Sequence, residues 1–194
     1  IIKNKMKTIK QILRLYQGGE IFTAFDTETT GLMNKTDKII EIGAVKFNKD
    51  GIIDKFSTLI NPQMPIPFCA TKVNGITNQM VANEPTFAQI CDDFLDFING
   101  TILVAHNANF DIGFVNAELL RLNKPELKKP NIPAVDTLIN SRKIYPELGK
   151  YNLQFLANEF CISVESAHRA LDDARVCMEL FQHNLDHLKE KHHL

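Results

Sequence analysis

The sequence predicts an α/β domain built on a mixed five-stranded sheet flanked by helices, and three observations predict it. Strand-like runs follow one another at residues 21–27, 39–48 and 51–60, the last two joined by the hairpin turn Asn48-Lys49-Asp50-Gly51. Beyond residue 100, short apolar runs alternate with stretches of helical period, the pattern of strands separated by covering helices. The 194 residues show no internal repeat or low-complexity segment, so they most simply make one domain with a proper core.

Residues 1–19 carry Lys3, Lys5, Lys7, Lys10 and Arg14 and no acid. Ile9, Ile12, Leu13 and Tyr16 fall at helical spacing, which predicts a basic amphipathic helix extending a domain that spans 20–190. An arm that docks a partner or touches nucleic acid is one reading. Ordinary amphipathicity favours the other, a helix packed on the back of the domain. After the three strands, Asn61-Pro62 with Pro65 and Pro67 make a loop over the sheet. Short helices are expected at 69–73 and 77–82, and Thr86 caps a longer one through Ile98.

Strand 101–105 then runs into helix 109–122, and a proline-bounded loop leads to strand 133–136. Asp136 opens helix 137–144 as its N-cap, Asn152 opens a helix to about Phe160, and His168 opens the last, which continues to about Leu188. Ala170, Ala174, Cys177, Phe181, Leu185 and Leu188 define the core face of that last helix. His183 and His187 have the i, i+4 spacing of metal ligands, but a solvated helix end is the preferred reading.

Composition excludes some classes. No apolar run approaches the ~20 residues of a membrane span, and the basic start is followed by no apolar signal region. A chain that begins on isoleucine reads as a processed or trimmed product. Cys69, Cys91, Cys161 and Cys177 show no C-x-x-C pairing and read as reduced, mostly buried residues of a cytoplasmic protein. A net charge of −1 argues against wrapping long duplex by phosphate neutralisation alone.

The chemistry is carried by acids. Asp26 and Glu28 stand two apart at the end of the run Ile21-Phe22-Thr23-Ala24-Phe25, so on a strand both point to one side. Two carboxylates held together repel unless a cation lies between them, and their oxygens suit a hard divalent ion. Asp111 falls in the first turn of the helix after strand 101–105. Of the adjacent acids Asp172 and Asp173, Asp173 lies beside the apolar stripe and is the expected ligand. Asp172 shares the polar face with Arg175 and Glu179 and is expected to be solvated.

Phe25-Asp26-Thr27-Glu28-Thr29-Thr30-Gly31, His106-Asn107-Ala108-Asn109-Phe110-Asp111 and His168-Arg169-Ala170-Leu171-Asp172-Asp173 resemble the three motifs of the DEDD family of exonucleases. The His-x4-Asp spacing of the third is similar to the histidine (DEDDh) subfamily, within it to the epsilon and polymerase-inserted types of bacterial DNA polymerase III. The likeness runs from about Glu20 to His187, with secondary matches at 39–45, 74–77 and 135–138. It implies a ribonuclease H-like architecture and two divalent cations, Mg2+ or Mn2+, about 4 Å apart. By the same resemblance Asp26 bridges both ions, Glu28, Asp111 and Asp173 complete their shells, and His168 is the general base.

The resemblance further implies that Thr29 to Leu32 offers backbone N–H groups to a 3′ hydroxyl and that Leu32 or Ile76 wedges against a terminal base. Asn74 stands where the epsilon type has histidine. Asn107 either hydrogen-bonds its loop or approaches the penultimate phosphate, and His106 is structural. Glu41 is an acid behind the ligands or a contact to the terminal nucleotide. The implied substrate is a single-stranded or frayed 3′ end of DNA, with RNA 3′-end trimming as the alternative and a catalytically silent binding module as the rival of another class. A DNA polymerase is the candidate partner, and no membrane is involved. The chain stops soon after the last helix, short of the polymerase-binding tail of the epsilon type, so a stand-alone nuclease and a domain cut from a larger protein fit equally.

Overall fold

The computed structural model describes residues 9–127 and 134–192. Lys3, Lys5 and Lys7 of the basic segment, the loop from Pro130 to Pro133 that includes the expected first residue of a strand, and the side chains of His192 and His193 lie outside the described residues. The strands are β1 (Phe22–Thr29), β2 (Ile39–Asn48), β3 (Gly51–Leu59), β4 (Ile102–Ala105) and β5 (Ala134–Asp136). The helices are α1 (Ile9–Gln17), α2 (Phe68–Asn74), α3 (Asn78–Val81), α4 (Phe87–Ile98), α5 (Ala108–Arg121), α6 (Thr137–Ile144), α7 (Leu153–Glu159) and α8 (Ala170–His192).

The five strands form one sheet in the order β3-β2-β1-β4-β5. β1, β2 and β3 are antiparallel, while β4 and β5 run parallel to β1. The sheet is therefore mixed, as the succession of elements predicts. β1 and β2 are buried along most of their length because both have neighbours, whereas β3 is an exposed edge carrying Asp54 and Lys55, charges that discourage further pairing.

Side chains alternate across β1 and divide the core in two. Phe22 and Ala24 face the cluster made with Phe47, Phe181, Leu185 and α1, while Phe25 faces the one made with Phe94, Phe114 and Val115 of α4 and α5. Asp26 and Glu28 continue the Phe22–Ala24 parity and so emerge at the strand end on the α8 side. α1 buries Ile12 and Leu13, and its Tyr16 ring packs edge-on against Phe22 and Phe181 at 5.8 and 5.7 Å. Over Ile9–Gln17, the described part of the segment, the helix packs on the domain.

Local rules place most ends. Thr86 and Gln89 form a reciprocal capping box on α4, and Asp136 and Asn152 accept from Ile139 N–H and Phe155 N–H to cap α6 and α7. α8 departs from expectation because it starts at Ala170, leaving His168 in the preceding turn with φ 62°. Two cysteines, Cys69 and Cys161, are exposed rather than buried, and all four are free. His183 and His187 are not a solvated end. His183 stacks on Phe160 at 4.2 Å and His187 packs on Tyr145 at 4.8 Å, because α7 and the end of α6 lie against this part of α8. Among the described residues no helix is long and apolar enough to cross a membrane.

Candidate active site

Three elements deliver acids to one cleft of about 440 Å³, lined among others by Asp26, Glu28, Asp111, Asp173 and His168. Asp26 and Glu28 come from the end of β1. Asp111 comes from the first turn of α5, which follows β4 directly, so the parallel pairing of β1 with β4 brings that turn beside the β1 end. Thr27, between the two acids of β1, fastens the arrangement. Its N–H and Oγ1 both donate to Asp111 Oδ1, at 3.0 and 2.8 Å.

Asp173 depends on a close approach of backbones. Gly43 of β2 pairs with Asp26, and the start of α8 lies directly against it. A Cβ at position 43 would overlap the Ala170–Leu171 peptide, so only glycine lets the helix begin there. Glu41, two residues before Gly43 and 2 % exposed, then holds that start. Its carboxylate accepts from Arg169 Nε and Nη2 and from the Ala170 N–H, at 2.7 to 3.2 Å. Of the two readings of Glu41, the acid behind the ligands is the one this geometry fits, since its lone pairs are committed to the helix start.

The adjacent acids separate as predicted, with one correction. Asp173 is buried, accepts from the His168 N–H at 3.1 Å and from Gln154 Nε2 at 3.3 Å, and faces the cleft. Asp172 faces away with Arg175, as its helical position implies, but it is not solvated. Its side chain is 9 % exposed, pairs with Arg175 at 2.7 Å and accepts from the Glu165 and Ser166 N–H groups at 2.8 and 2.7 Å. Those bonds tie down the loop that carries His168, a role sequence position alone does not reveal. Glu28, His168 and Asp173 each offer a ligand atom, all lying within 4.8 Å of one another.

Electrostatics shows what this clustering costs. Burial, then the charges of Asp111, Asp173 and Glu28, hold the Asp26 carboxyl well above its ordinary range. Burial and Asp173 push Glu28 up to about 8. Burial raises Asp111 to about 7 against the opposing Thr27 hydrogen bonds, and raises Asp173 to about 6 against the influence of His168. Acids whose burial, helped by neighbouring charge, lifts their pKa toward neutrality or beyond make a site that a multivalent cation would relieve. The donor set is carboxylate oxygen with one imidazole, which fits a hard ion such as Mg2+ or Mn2+.

The flanking residues are placed less uniformly. His106 is structural, its Nδ1 on Thr137 Oγ1 at 2.9 Å and its Nε2 on the Tyr151 carbonyl at 2.7 Å. Asn107 is exposed at the cleft in the left-handed region, φ 73°, at the N-cap position of α5, where its side chain makes no capping hydrogen bond. Asp136 not only caps α6 but also accepts from Asn107 N–H and Ala108 N–H, joining two helix starts. Leu32 stands 84 % exposed, as a wedge requires. Ile76 does not: it is fully buried with Ile40, Ile66 and Val81, so the expectation that it lies against a base is corrected.

Asn74 is buried too, accepting from Ile76 N–H at 3.0 Å while its side chain also hydrogen-bonds Glu28, so it steadies an acid from behind. Thr29 is buried and its Oγ1 donates to the Gly31 carbonyl at 2.6 Å. Within the same turn the Thr30 and Met33 N–H groups are already bonded, to the Lys38 carbonyl and Asp37 Oδ2, and are not on offer to a ligand. Sequence reasoning missed Arg142, Tyr151 and Gln154, which line the same cleft from α6 and the segment around the start of α7. No local motif marks those residues.

Comparison with known proteins places this geometry in context. The family model described as Exonuclease (RNase_T) matches residues 23–181. The chain is 54 % identical over 168 residues to the DNA polymerase III subunit epsilon of Treponema pallidum, covering 86 % of this chain and 77 % of that one. It is 41 % identical over 170 residues to the PolC-type DNA polymerase III of Clostridium perfringens, covering 88 % of this chain but only 12 % of that protein. Among solved structures, exonuclease X in complex with 5′ overhanging duplex DNA superposes with TM-score 0.66 at 26 % identity, over 89 % of this chain and 93 % of that one. An exonuclease I structure, at 18 % identity and TM-score 0.75 over 88 % of this chain and 43 % of that one, shares the fold.

Proposed function

The chain belongs to the exonuclease family, and from that membership we propose that it hydrolyses phosphodiester bonds at DNA 3′ ends, releasing nucleoside 5′-monophosphates. The observation that carries the reading is the convergence of Asp26, Glu28, Asp111 and Asp173 from three separate elements on one cleft, with His168 at its edge. Asp26, Glu28, Asp111 and Asp173 would hold two divalent cations, Mg2+ or Mn2+. When bound, such ions lower the pKa of water and stabilise the charge that develops on the leaving 3′ oxygen.

His168 takes the proton of the attacking water at an imidazole nitrogen. Its backbone is fixed by the bond from its N–H to Asp173, and the Asp172 bonds hold the loop before it, so the ring is placed beside the acids without being packed among them. Glu41 and Asn74 keep α8 and Glu28 in position. Leu32 rests against the terminal base and favours ends that are frayed or single-stranded, which cost little to unpair.

The likeness to an epsilon subunit supports a proofreading role in company with a DNA polymerase, in the cytoplasm. An oligonucleotide assay tests the activity. With 5′-labelled DNA and Mg2+ or Mn2+, products should shorten stepwise from the 3′ end, and a 3′ label should appear at once as mononucleotide. Faster loss of an RNA substrate would move the reading to 3′-end trimming of RNA. Binding of DNA with no cleavage under either metal would leave only a silent module.

A further inference from the structure

The cleft has a wall that the reaction described so far does not use. It carries Arg142 from the last turn of α6 and Tyr151 from the segment entering α7. The guanidinium lies over the Tyr151 ring, 5.7 Å from its centroid. Tyr151 is itself fixed, its hydroxyl donating to the Tyr145 carbonyl at 2.6 Å and its carbonyl bonded to His106 at 2.7 Å. Since His106 opens the segment that places Asp111, the arginine stands on a platform tied to the acid cluster.

Arg142 differs from the other arginines near the site. Arg121, Arg169 and Arg175 are spent on Glu118, Glu41, Asp172 and Glu179, where they hold the fold. Among the described residues no carboxylate lies within ion-pair distance of Arg142, although Asp26, Glu28, Asp111 and Asp173 line the same cleft. A planar fork with five donors, stacked on an aromatic ring and open to an anionic chain, suits a phosphate in two-point contact. The turn that bears Leu32 is not part of the cleft lining, so a terminal nucleotide seated there leaves the cleft to the nucleotides that precede it.

We propose that Arg142 is a positioning residue that binds a backbone phosphate upstream of the scissile bond, so that the cleft grips a polynucleotide strand as well as its terminal nucleotide. The assignment rests on the exonuclease reading above and extends it to the substrate's length. Tyr151 orients the guanidinium, and the phosphate supplies the anion that the described residues do not.

Two substrates and one binding measurement test it. The substrates are a 5′-labelled single-stranded oligothymidylate and the p-nitrophenyl ester of thymidine 5′-monophosphate, which has no upstream phosphate. For Arg142→Ala the oligonucleotide KM should rise about 10- to 100-fold, the usual worth of a charge-assisted contact. The ratio of oligonucleotide to ester efficiency should fall by the same factor. Arg142→Lys should recover part of it, because it keeps the charge and loses the fork.

Anisotropy of a labelled oligothymidylate with Ca2+ should show weaker binding by Arg142→Ala and a salt slope reduced by about one. Equal losses on both substrates, or no loss on either, would overturn the proposal, leaving an arginine that serves only the end of α6. If the wild-type protein cleaves neither substrate yet loses affinity when Arg142 is replaced, the exonuclease reading fails and takes the placement upstream of a scissile bond with it, while the phosphate contact at Arg142 stands. Should Arg142→Ala fold poorly, Arg142→Lys decides by the same ratio and the same anisotropy.

Discussion

At the residue scale the third motif supplies the sharpest tests, because neighbouring side chains there do opposite jobs. Asp173→Asn removes a charge from the acid cluster and should leave the enzyme nearly inactive, with thermal stability retained or raised. Asp172→Asn should do the reverse, and calorimetry with steady-state kinetics reads both. It weakens the pair with Arg175 and the bonds to Glu165 and Ser166, which should cost about 1–3 kcal/mol of stability. Burial works against the Asp172 charge, but the Ser166 N–H and Arg175 outweigh it and hold the carboxyl below its ordinary value. Its contribution is therefore present above about pH 4 and lost as pH falls through the depressed value. His168→Ala should slow turnover by roughly 10²–10⁴ with metal affinity by titration calorimetry little changed. A large loss of metal binding instead would make His168 a ligand. That Asp173 and not Asp172 faces the cleft was legible because helical spacing separates the two positions, whereas the fastening of the preceding loop was not, since its partners lie outside any repeat.

At the scale of elements the site depends on where α8 begins, and a missing side chain decides that. Gly43 is opposite Asp26 on the neighbouring strand, and the Ala170–Leu171 peptide occupies the space a Cβ would need. Gly43→Ala should push the start of α8 outward, taking His168 and Asp173 with it. The expected cost is about 1–3 kcal/mol, as for other over-packed sites, with activity down at least tenfold. Denaturant unfolding and oligonucleotide kinetics on the same sample check it, and wild-type behaviour in both would show that the helix yields freely. The strands, the hairpin turn and the caps at Thr86, Asp136 and Asn152 were readable because each is set by residues a few positions apart. The start of α8 was misplaced at His168 because Glu41 and Arg169 set it across 128 positions of sequence.

At the scale of the whole molecule the acid cluster makes folding and metal binding one problem. In the metal-free protein Asp173, Asp111 and Glu28 hold protons up to about 6, about 7 and about 8, above their values in an unfolded chain. The folded state thus binds more protons, so this contribution is full below the ordinary carboxyl pKa and is lost as pH rises through those folded values. Metal-free thermal midpoints should fall between about pH 5 and pH 8. Mg2+ should raise them most at the upper end, and Asp26→Ala should raise the metal-free midpoint there while abolishing hydrolysis. A midpoint independent of pH and of Mg2+ would contradict the crowding described here. By itself the sequence determined the mixed sheet, the order of elements and the four acids with His168, because strand alternation, helical period and motif spacing are local. Only the tertiary structure decided that Ile76 is core and not a contact, that Asn74 and Glu41 stand behind the acids, and that Arg142 and Tyr151 line the same cleft. Those roles depend on which segments the sheet order brings together, and pairing between distant strands leaves no local trace.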